Sequence, residues 1–453
     1  MDPEATHDSS TPLDIELDVL AQQSRLNRLY TQVTFCFKLP SDPPLLELEI
    51  INTLNRGVEL LIANFPWLSG TVVNDDGTFK IRDSQKPLSL VVKDLRDDPD
   101  FPTWDLISRA NFPFRMLDED DIAPCRTLTD PDSTALGLPV FLIQANLIKG
   151  GLLLTINGQH GSMDMAGQSQ IMYLFAKACR NEPFTLSEMT TGNLDRKTVT
   201  DLLEDDMGNE STDDVPESAS KGQSKHVEQP EHLVWAYFTF SAESLAALKG
   251  LAMKAVPENS FVSTDDVLSA VTWQAMCRVR LARLGSEESL ASTLTRNVDM
   301  RRYLSLPPTY PGFVTQSTSH TTPIDLLSQE ALGTVALRLR AALDGTALTR
   351  KTRLQASRIR RGENTAVATS SVPELDVRLS SWAKEDCCGL DFGFGKANAV
   401  RRPRFAQGAR EGLVYFLPKA LDGEIAVGIC LRTDDMERLR TEEEFVRFGT
   451  CIG

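Results

Sequence analysis

The sequence predicts an α/β protein of two domains joined by an acidic linker. Strand-like apolar runs mix with helix-like periodicity along both halves of the chain. The length of 453 residues and the hydrophobic share of 41% supply enough apolar material for two cores. The apolar periodicity stops between Thr198 and His232. We therefore expect an N-terminal domain of residues 1–200, a linker of residues 201–232 and a C-terminal domain of residues 233–453.

In the N-terminal half, order is expected from about Ile15, after a polar start to the chain. The short apolar run Gly151–Asn157 predicts a buried strand. Apolar residues at spacings of three and four predict a helix over Met165–Arg180, and Asp164 before it suits an N-cap. His160 is therefore expected on the turn between this strand and this helix.

The C-terminal half repeats the mixture of strands and helices. Leu233–Phe240 is rich in aromatic and β-branched residues and predicts a strand. Ser263–Asp266 predicts a capping box at the start of a helix. Leu413–Leu417 and Ile425–Leu431 predict two strands, with a turn at Asp422–Gly423 between them.

The charge of the chain excludes several kinds of partner. The formal net charge is −16, and ten acidic residues against two lysines lie between residues 201 and 231. Such a chain repels phosphate backbones and anionic lipid surfaces, so neither nucleic acid nor a membrane is an expected partner.

The cysteines and the start of the chain predict a cytoplasmic location. Eight cysteines without a Cys-x-x-Cys pair indicate neither a metal site nor a disulfide framework, and free thiols suit a reducing compartment. The N-terminus has no apolar core typical of a signal peptide. No apolar run approaches the roughly 20 residues of a membrane helix.

The strongest local candidate for chemistry is Gln159–Asp164, which contains His-Gly-Ser-Met-Asp. The pKa of histidine lies near neutrality, so His160 suits a general base that takes a hydroxyl proton. Gly161 allows a sharp turn behind the imidazole. Taken alone the pattern is weak, because about one chain in three with this composition carries His-x-x-x-Asp by chance. A loop histidine beside an ordinary N-cap is the competing interpretation.

Two further motifs stand out. Asp391-Phe-Gly-Phe-Gly395 alternates glycines with aromatic residues, and we interpret Asp391, Gly393 and Gly395 as a stiff structural turn. In Asn297-Val-Asp-Met-Arg301, the guanidinium of Arg301 suits a bidentate pair with a carboxylate such as Asp164. The alternative for the second motif is a solvated charged loop.

Together, the His160 and Asp391 motifs resemble the BAHD acyltransferases, which carry His-x-x-x-Asp midway and Asp-Phe-Gly-Trp-Gly near the C-terminus. Further stretches are similar to the fungal trichothecene 3-O-acetyltransferases. They include Asn157–Met165, Leu379–Lys384 and Val400–Arg404. The resemblance implies two similar domains related to chloramphenicol acetyltransferase, with an active-site channel between them. It also implies a monomeric enzyme that transfers an acetyl group from acetyl-CoA to a small-molecule alcohol, without a permanently bound cofactor or a metal.

The resemblance also implies roles for individual residues. His160 is the general base, and Asp164 points away from it and pairs with Arg301. Ser380 is a candidate donor to the developing oxyanion. Ser263 and Ser381 match positions that line the coenzyme A channel.

The sequence leaves two alternatives open. The first is an acyl-CoA-dependent acyltransferase with another terpenoid, polyketide or alkaloid acceptor, rather than the 3-hydroxyl of a trichothecene. The second is a binding or scaffold protein that keeps the fold without turnover.

Overall fold

The computed structural model describes residues 12–39, 44–130, 137–203, 232–284, 290–363 and 373–453, and shows a mixed α/β chain. The strands are β1 Asp14–Glu16, β2 Tyr30–Lys38, β3 Thr71–Asp75, β4 Thr78–Arg82, β5 Leu90–Asp94, β6 Leu138–Pro139, β7 Phe141–Ile148, β8 Gly151–Gln159, β9 Leu233–Phe240, β10 Ala291–Asp299, β11 Thr315–Pro323, β12 Val377–Ser381, β13 Ala399–Arg401, β14 Leu413–Phe416, β15 Ile425–Arg432 and β16 Thr450–Cys451. The helices are α1 Pro44–Asn64, α2 Trp104–Arg109, α3 Glu119–Ile122, α4 Met165–Cys179, α5 Leu186–Gly192, α6 Lys197–Leu202, α7 Ala242–Met253, α8 Thr264–Leu284, α9 Ile324–Gln329, α10 Leu332–Ala341, α11 Gly345–Arg360, α12 Thr433–Leu439 and α13 Glu443–Val446.

The described strands form three sheets. One has the order β13-β2-β8-β7-β5, the second β11-β10-β12-β14-β15-β9-β16, and the third and smallest β1-β4-β3-β6. The first sheet packs into one large cluster of buried apolar side chains, which also contains Trp235 and Tyr237 of β9. Other side chains of the second sheet form a separate cluster. The core of the second sheet includes helix α8, whose Trp273 Nε1 donates a hydrogen bond of 2.8 Å to Ser292 Oγ.

The elements predicted around the candidate residues are confirmed. β8 is buried along its whole length, as expected for an apolar run with strands on both sides. α4 follows it with Asp164 as its N-cap. The capping box of α8 is also present, because Ser263 N donates to Asp266 Oδ2 and Asp266 N donates to Ser263 Oγ.

The chain stays helical slightly beyond the point where its apolar periodicity stops. Helix α6 continues through Leu202 and buries Val199 against the core, whereas the sequence pattern placed the loss of structure at Thr198. A helix of six residues offers too few apolar positions for a recognisable period, which explains the difference. The acidic stretch from residue 204 to residue 231 lies outside the described residues.

One strand crosses between the two halves of the sequence. β13 pairs antiparallel with β2, with Ala399 opposite Cys36 and Arg401 opposite Thr34. The residue before this strand also bonds to β2, since Asn398 N donates a hydrogen bond to Cys36 O. The sheet of the N-terminal half is therefore completed by residues from beyond the linker.

The motif Asp391–Gly395 forms a tight turn, as interpreted from its sequence. The Asp391 carboxylate accepts hydrogen bonds from Gly393 N at 2.8 Å and Gly395 N at 2.9 Å. Both glycines have positive φ angles, 94° and 98°, which explains the choice of residue. Between them, Phe392 is fully buried and meets Phe35 edge-on at 5.0 Å. The motif therefore anchors a C-terminal segment on the N-terminal sheet.

We expect Phe392→Ala to lower the free energy of unfolding by about 3–5 kcal/mol, because it removes a buried ring between packed aromatic neighbours. Thermal unfolding of the two proteins checks this value. Phe394→Ala is the matched control, since the Phe394 side chain is only half-buried and its loss is expected to be clearly smaller. Equal losses for both variants would contradict the anchoring role of Phe392.

Candidate active site

His160 lies where β8 ends and the chain turns into α4. Its backbone N–H donates to Leu29 O at 2.8 Å, which ties the turn to the start of the neighbouring strand. Gly161 is required here, because a Cβ atom at this position would lie 1.9 Å from Asn27 Oδ1. The side-chain oxygen of Gln159 stabilises the turn by accepting a hydrogen bond of 2.6 Å from Ser162 N. The imidazole therefore projects from a turn with little conformational freedom.

The surroundings of His160 favour the neutral imidazole. Thr31 Oγ1 lies 3.2 Å from Nδ1, and the ring of Phe313 packs edge-on with centroids 5.5 Å apart. Burial is the largest influence on the pKa of His160 and lowers it. The negative charge of Asp164 raises this pKa, and the positive charge of Arg402 lowers it. A histidine that stays neutral at physiological pH can accept a proton.

Asp164 accepts hydrogen bonds from four other residues. As the N-cap of α4, it accepts a hydrogen bond of 2.9 Å from Gly167 N. Arg301 donates two further hydrogen bonds to it, of 2.8 and 3.1 Å. Val314 N and Thr315 Oγ1 donate at 2.8 and 3.0 Å. Burial alone raises the pKa of Asp164, but the charge and hydrogen bonds of Arg301 outweigh it, so the pKa lies below its usual value.

Arg301 is almost completely buried, and all its side-chain nitrogens donate hydrogen bonds. Besides Asp164, they reach Tyr310 O and Gly312 O at 2.8 Å and Asp299 Oδ1 at 2.7 Å. The guanidinium therefore joins the loop between β10 and β11 to the first turn of α4. This is the pairing that the sequence motifs suggested for Arg301.

A second buried ion pair lies beside the first. Arg196 donates to Asp18 Oδ2 and to Ser162 O, both at 2.8 Å. Asp18 also accepts from Tyr310 Oη and from Phe313 N. This network fixes both the turn that carries His160 and the loop that carries Phe313. No pattern in the sequence indicates it, because its hydrogen-bonded partners are between 34 and 295 residues apart.

The three serines named from the sequence have different surroundings. Ser380 lines the same cavity as His160, and its Oγ accepts a hydrogen bond of 3.0 Å from Trp382 Nε1. Ser381 also lines the cavity and donates to the Asp265 carboxylate. Ser263 is not among the cavity residues, and its hydroxyl is committed to the capping box of α8.

The cavity has a volume of about 980 Å³ and takes its walls from both halves of the chain. His160 and Thr31 lie on the N-terminal side, and Ser380 lies on the C-terminal side. Glu385 also lines it, and burial raises the pKa of this carboxyl to about 7. Its other polar and aromatic residues include several that the sequence did not single out: Arg25, Phe313, Thr315, Arg378, Trp382, Arg402, Phe405, Arg410 and Tyr415.

Two family matches cover most of the chain. Residues 29–179 match the trichothecene 3-O-acetyltransferase-like N-terminal domain, and residues 117–446 match the transferase family. The chain therefore belongs to the transferase family, and its domain is of the BAHD type. It is an acyl-CoA-dependent O-acyltransferase, as the sequence motifs predicted.

Individual relatives agree with this class. The chain is 45% identical to the O-acetyltransferase dmxR13 of Cryptosporiopsis sp., over 97% of this chain and 98% of that protein. It is 42% identical to a trichothecene 3-O-acetyltransferase of Fusarium sporotrichioides, over 98% of each. A crystal structure of the Fusarium graminearum relative with coenzyme A and deoxynivalenol superposes with a TM-score of 0.89 at 37% identity, over 97% of this chain and all of that one. The predicted fold class is thereby confirmed.

No helix in the described ranges is both long and apolar enough to cross a membrane.

Proposed function

We propose that this chain transfers an acetyl group from acetyl-CoA to a hydroxyl of a small secondary metabolite, with His160 as the general base. The observation that carries the proposal is a rigidly held histidine, whose pKa is lowered by burial, in a large cavity whose walls come from both halves of the chain. The relatives named above support acetyl as the transferred group. The protein is proposed to act as a monomer, since one chain supplies both walls, and in the cytoplasm, where its eight free cysteines stay reduced.

The proposed reaction is a direct transfer with both substrates bound. His160 accepts the proton of the acceptor hydroxyl as its oxygen attacks the thioester carbonyl. Nδ1 of His160 is hydrogen-bonded to Thr31, so Nε2 is the nitrogen proposed to accept the proton of the acceptor hydroxyl. The tetrahedral intermediate collapses with loss of the coenzyme A thiolate, which takes the proton back from the imidazolium.

Ser380 is proposed to stabilise the oxyanion of this intermediate. Its Oγ accepts from Trp382 Nε1, which leaves the hydroxyl hydrogen available for donation into the cavity. A preorganised donor of this kind stabilises a transition state by about 2.7–4 kcal/mol. Asp164 and Arg301 are proposed to act structurally, since Asp164 makes its hydrogen bonds to the α4 N-terminus, Arg301 and the loop after β10.

A trichothecene 3-hydroxyl is one acceptor that fits this proposal, and the identity to the Fusarium enzyme favours it. The similar identity to the O-acetyltransferase dmxR13 supports O-acetyl transfer without specifying the alcohol, so another acceptor fits the proposal equally well. Incubation with acetyl-CoA and a panel of alcohols, including a trichothecene, tests the reaction. Release of free thiol together with an acetylated product in the mass spectrum is expected for at least one alcohol. Binding of coenzyme A without thiol release for any alcohol would favour a non-catalytic protein.

The pH dependence of kcat/KM is expected to show an acidic limb with a midpoint below pH 6.5. Burial lowers the pKa of His160, so the imidazole stays neutral as the pH falls through 6.5 and loses its basicity only at lower pH. A pH–rate profile between pH 5 and 9 measures this. Glu385→Gln is the control, because any inflection near pH 7 that this change removes belongs to Glu385. An acidic limb centred above pH 6.5 in both proteins would contradict the environment described for His160.

A further inference from the structure

Positive charge is concentrated in one part of the cavity. Arg25, Arg378 and Arg410, here termed the arginine cluster, all line it. Arg25 directly precedes a short helical turn near the N-terminus, Arg378 lies on β12, and Arg410 precedes β14. β12 and β14 are neighbours in the sheet, with Arg378 opposite Leu413. The fold therefore brings together three cations that are far apart in sequence.

The arginine cluster lacks acidic partners in the described part of the chain, where no carboxylate forms an ion pair with any of its members. Burial and the charges of Arg410 and Arg378 lower the pKa of Arg25 to about 10. Three of the four carboxylates that line the cavity have other arginine partners: Asp164 and Asp299 pair with Arg301, and Glu363 pairs with Arg361. The fourth, Glu385, is hydrogen-bonded to Ser169, and burial raises its pKa to about 7. Three mutually repelling cations cost stability that a bound anion restores.

A fourth arginine extends the positive region towards the base. Arg402 lines the cavity and is 2% exposed. Its guanidinium lies over the rings of Phe405 and Tyr415, at 4.5 and 4.7 Å, and donates to Thr127 Oγ1. It is near enough to His160 to lower the pKa of the imidazole. Positive potential therefore reaches from the cluster to the reacting centre.

The position of Arg378 indicates which substrate carries the anion. Arg378 and Ser380 lie two residues apart on β12 and so project from the same face, about 7 Å apart along the strand. The phosphates of coenzyme A are separated from its sulfur by the whole pantetheine chain. A cation this close to the proposed oxyanion donor is better placed for a group on the acceptor.

We propose that the arginine cluster binds an anionic group of the acceptor, so that the preferred alcohols are hydroxy acids or carry a similar anionic oxygen group. The inference rests on the proposed acetyl transfer and adds the class of acceptor. Arginine binds carboxylates in bidentate geometry, and a positive cavity also attracts anionic substrates from solution.

A matched pair of acceptors tests the proposal: 4-(hydroxymethyl)benzoate and its methyl ester, each with acetyl-CoA. The intact protein is expected to acetylate the acid with a kcat/KM about tenfold above that of the ester. Arg378→Met and Arg410→Met are each expected to abolish this preference while the KM for acetyl-CoA stays constant. Arg109→Met, an exposed arginine on α2, is the control and should leave the preference intact.

Two kinetic results would overturn the proposal. Equal kcat/KM for acid and ester in the intact protein is one. An increased KM for acetyl-CoA in Arg378→Met, with the preference for the acid retained, is the other, because it assigns the cluster to the phosphates of coenzyme A.

If no alcohol is acetylated at all, calorimetric titration of both compounds into the coenzyme A complex still tests whether the cluster binds the acid. Preferential binding of the acid that Arg378→Met removes would support the cluster while the proposed function fails, and equal binding would overturn it.

Discussion

Replacing His160 by alanine is expected to reduce kcat for acetyl transfer by about 10²–10⁴-fold, the usual contribution of a positioned general base. The hydroxyl of the acceptor is then too weak a nucleophile, because no group takes its proton as it attacks the thioester. Thiol release under saturating acetyl-CoA measures the loss. The melting temperature should change little, since His160 is only half-buried and its turn is held by Gln159 and by backbone hydrogen bonds.

His320→Ala provides the matched control for this experiment. His320 lies on β11, and neighbouring arginines add to burial in lowering its pKa, to about 4. It does not line the cavity among the described residues, so its replacement should leave kcat unchanged. Full activity in His160→Ala would show that another group takes the proton.

Arg301→Met is expected to lower the free energy of unfolding by about 3–5 kcal/mol, because it leaves the Asp164 carboxylate buried without its counter-charge. The loop between β10 and β11 also loses hydrogen bonds from Arg301 to Tyr310 O and Gly312 O. Differential scanning calorimetry checks the value. Arg126→Met is the control, since Arg126 and its partner Asp120 are exposed and screened by solvent, so no shift is expected.

Asp164→Asn separates a structural role from a catalytic one. The change keeps the shape of the N-cap but removes the charge that faces Arg301, so we expect a lower melting temperature. Turnover measured well below that temperature should remain within an order of magnitude of the intact protein. An unchanged melting temperature with a large loss of kcat would instead indicate that Asp164 takes part in the chemistry.

Local features of the site were predictable because neighbours in sequence produce them. An apolar run, a glycine after the histidine and an N-cap residue before a periodic segment were enough to place His160 on a strand–turn–helix unit. The turn at Asp391–Gly395 was predictable for the same reason, since glycine and aspartate favour tight turns.

Long-range features were not predictable from one sequence. Thr31 reaches His160 only through the pairing of β2 with β8, and Asp18 meets Arg196 across 178 residues. A lone threonine or aspartate carries no local signal of such a partner. Ser263 shows the opposite difficulty, because a serine at a helix start serves equally well as a cap or as a ligand contact.

The strand β13 has a consequence for how the polypeptide acquires its structure. Until residue 401 has been synthesised, β2 is the open edge of its sheet, and its backbone groups lack the partners that Ala399–Arg401 provide. A ribosome-bound or proteolytic fragment that stops before β13 is therefore prone to pair with other chains. The N-terminal half should consequently be expressed together with β13, since its sheet is incomplete without that strand.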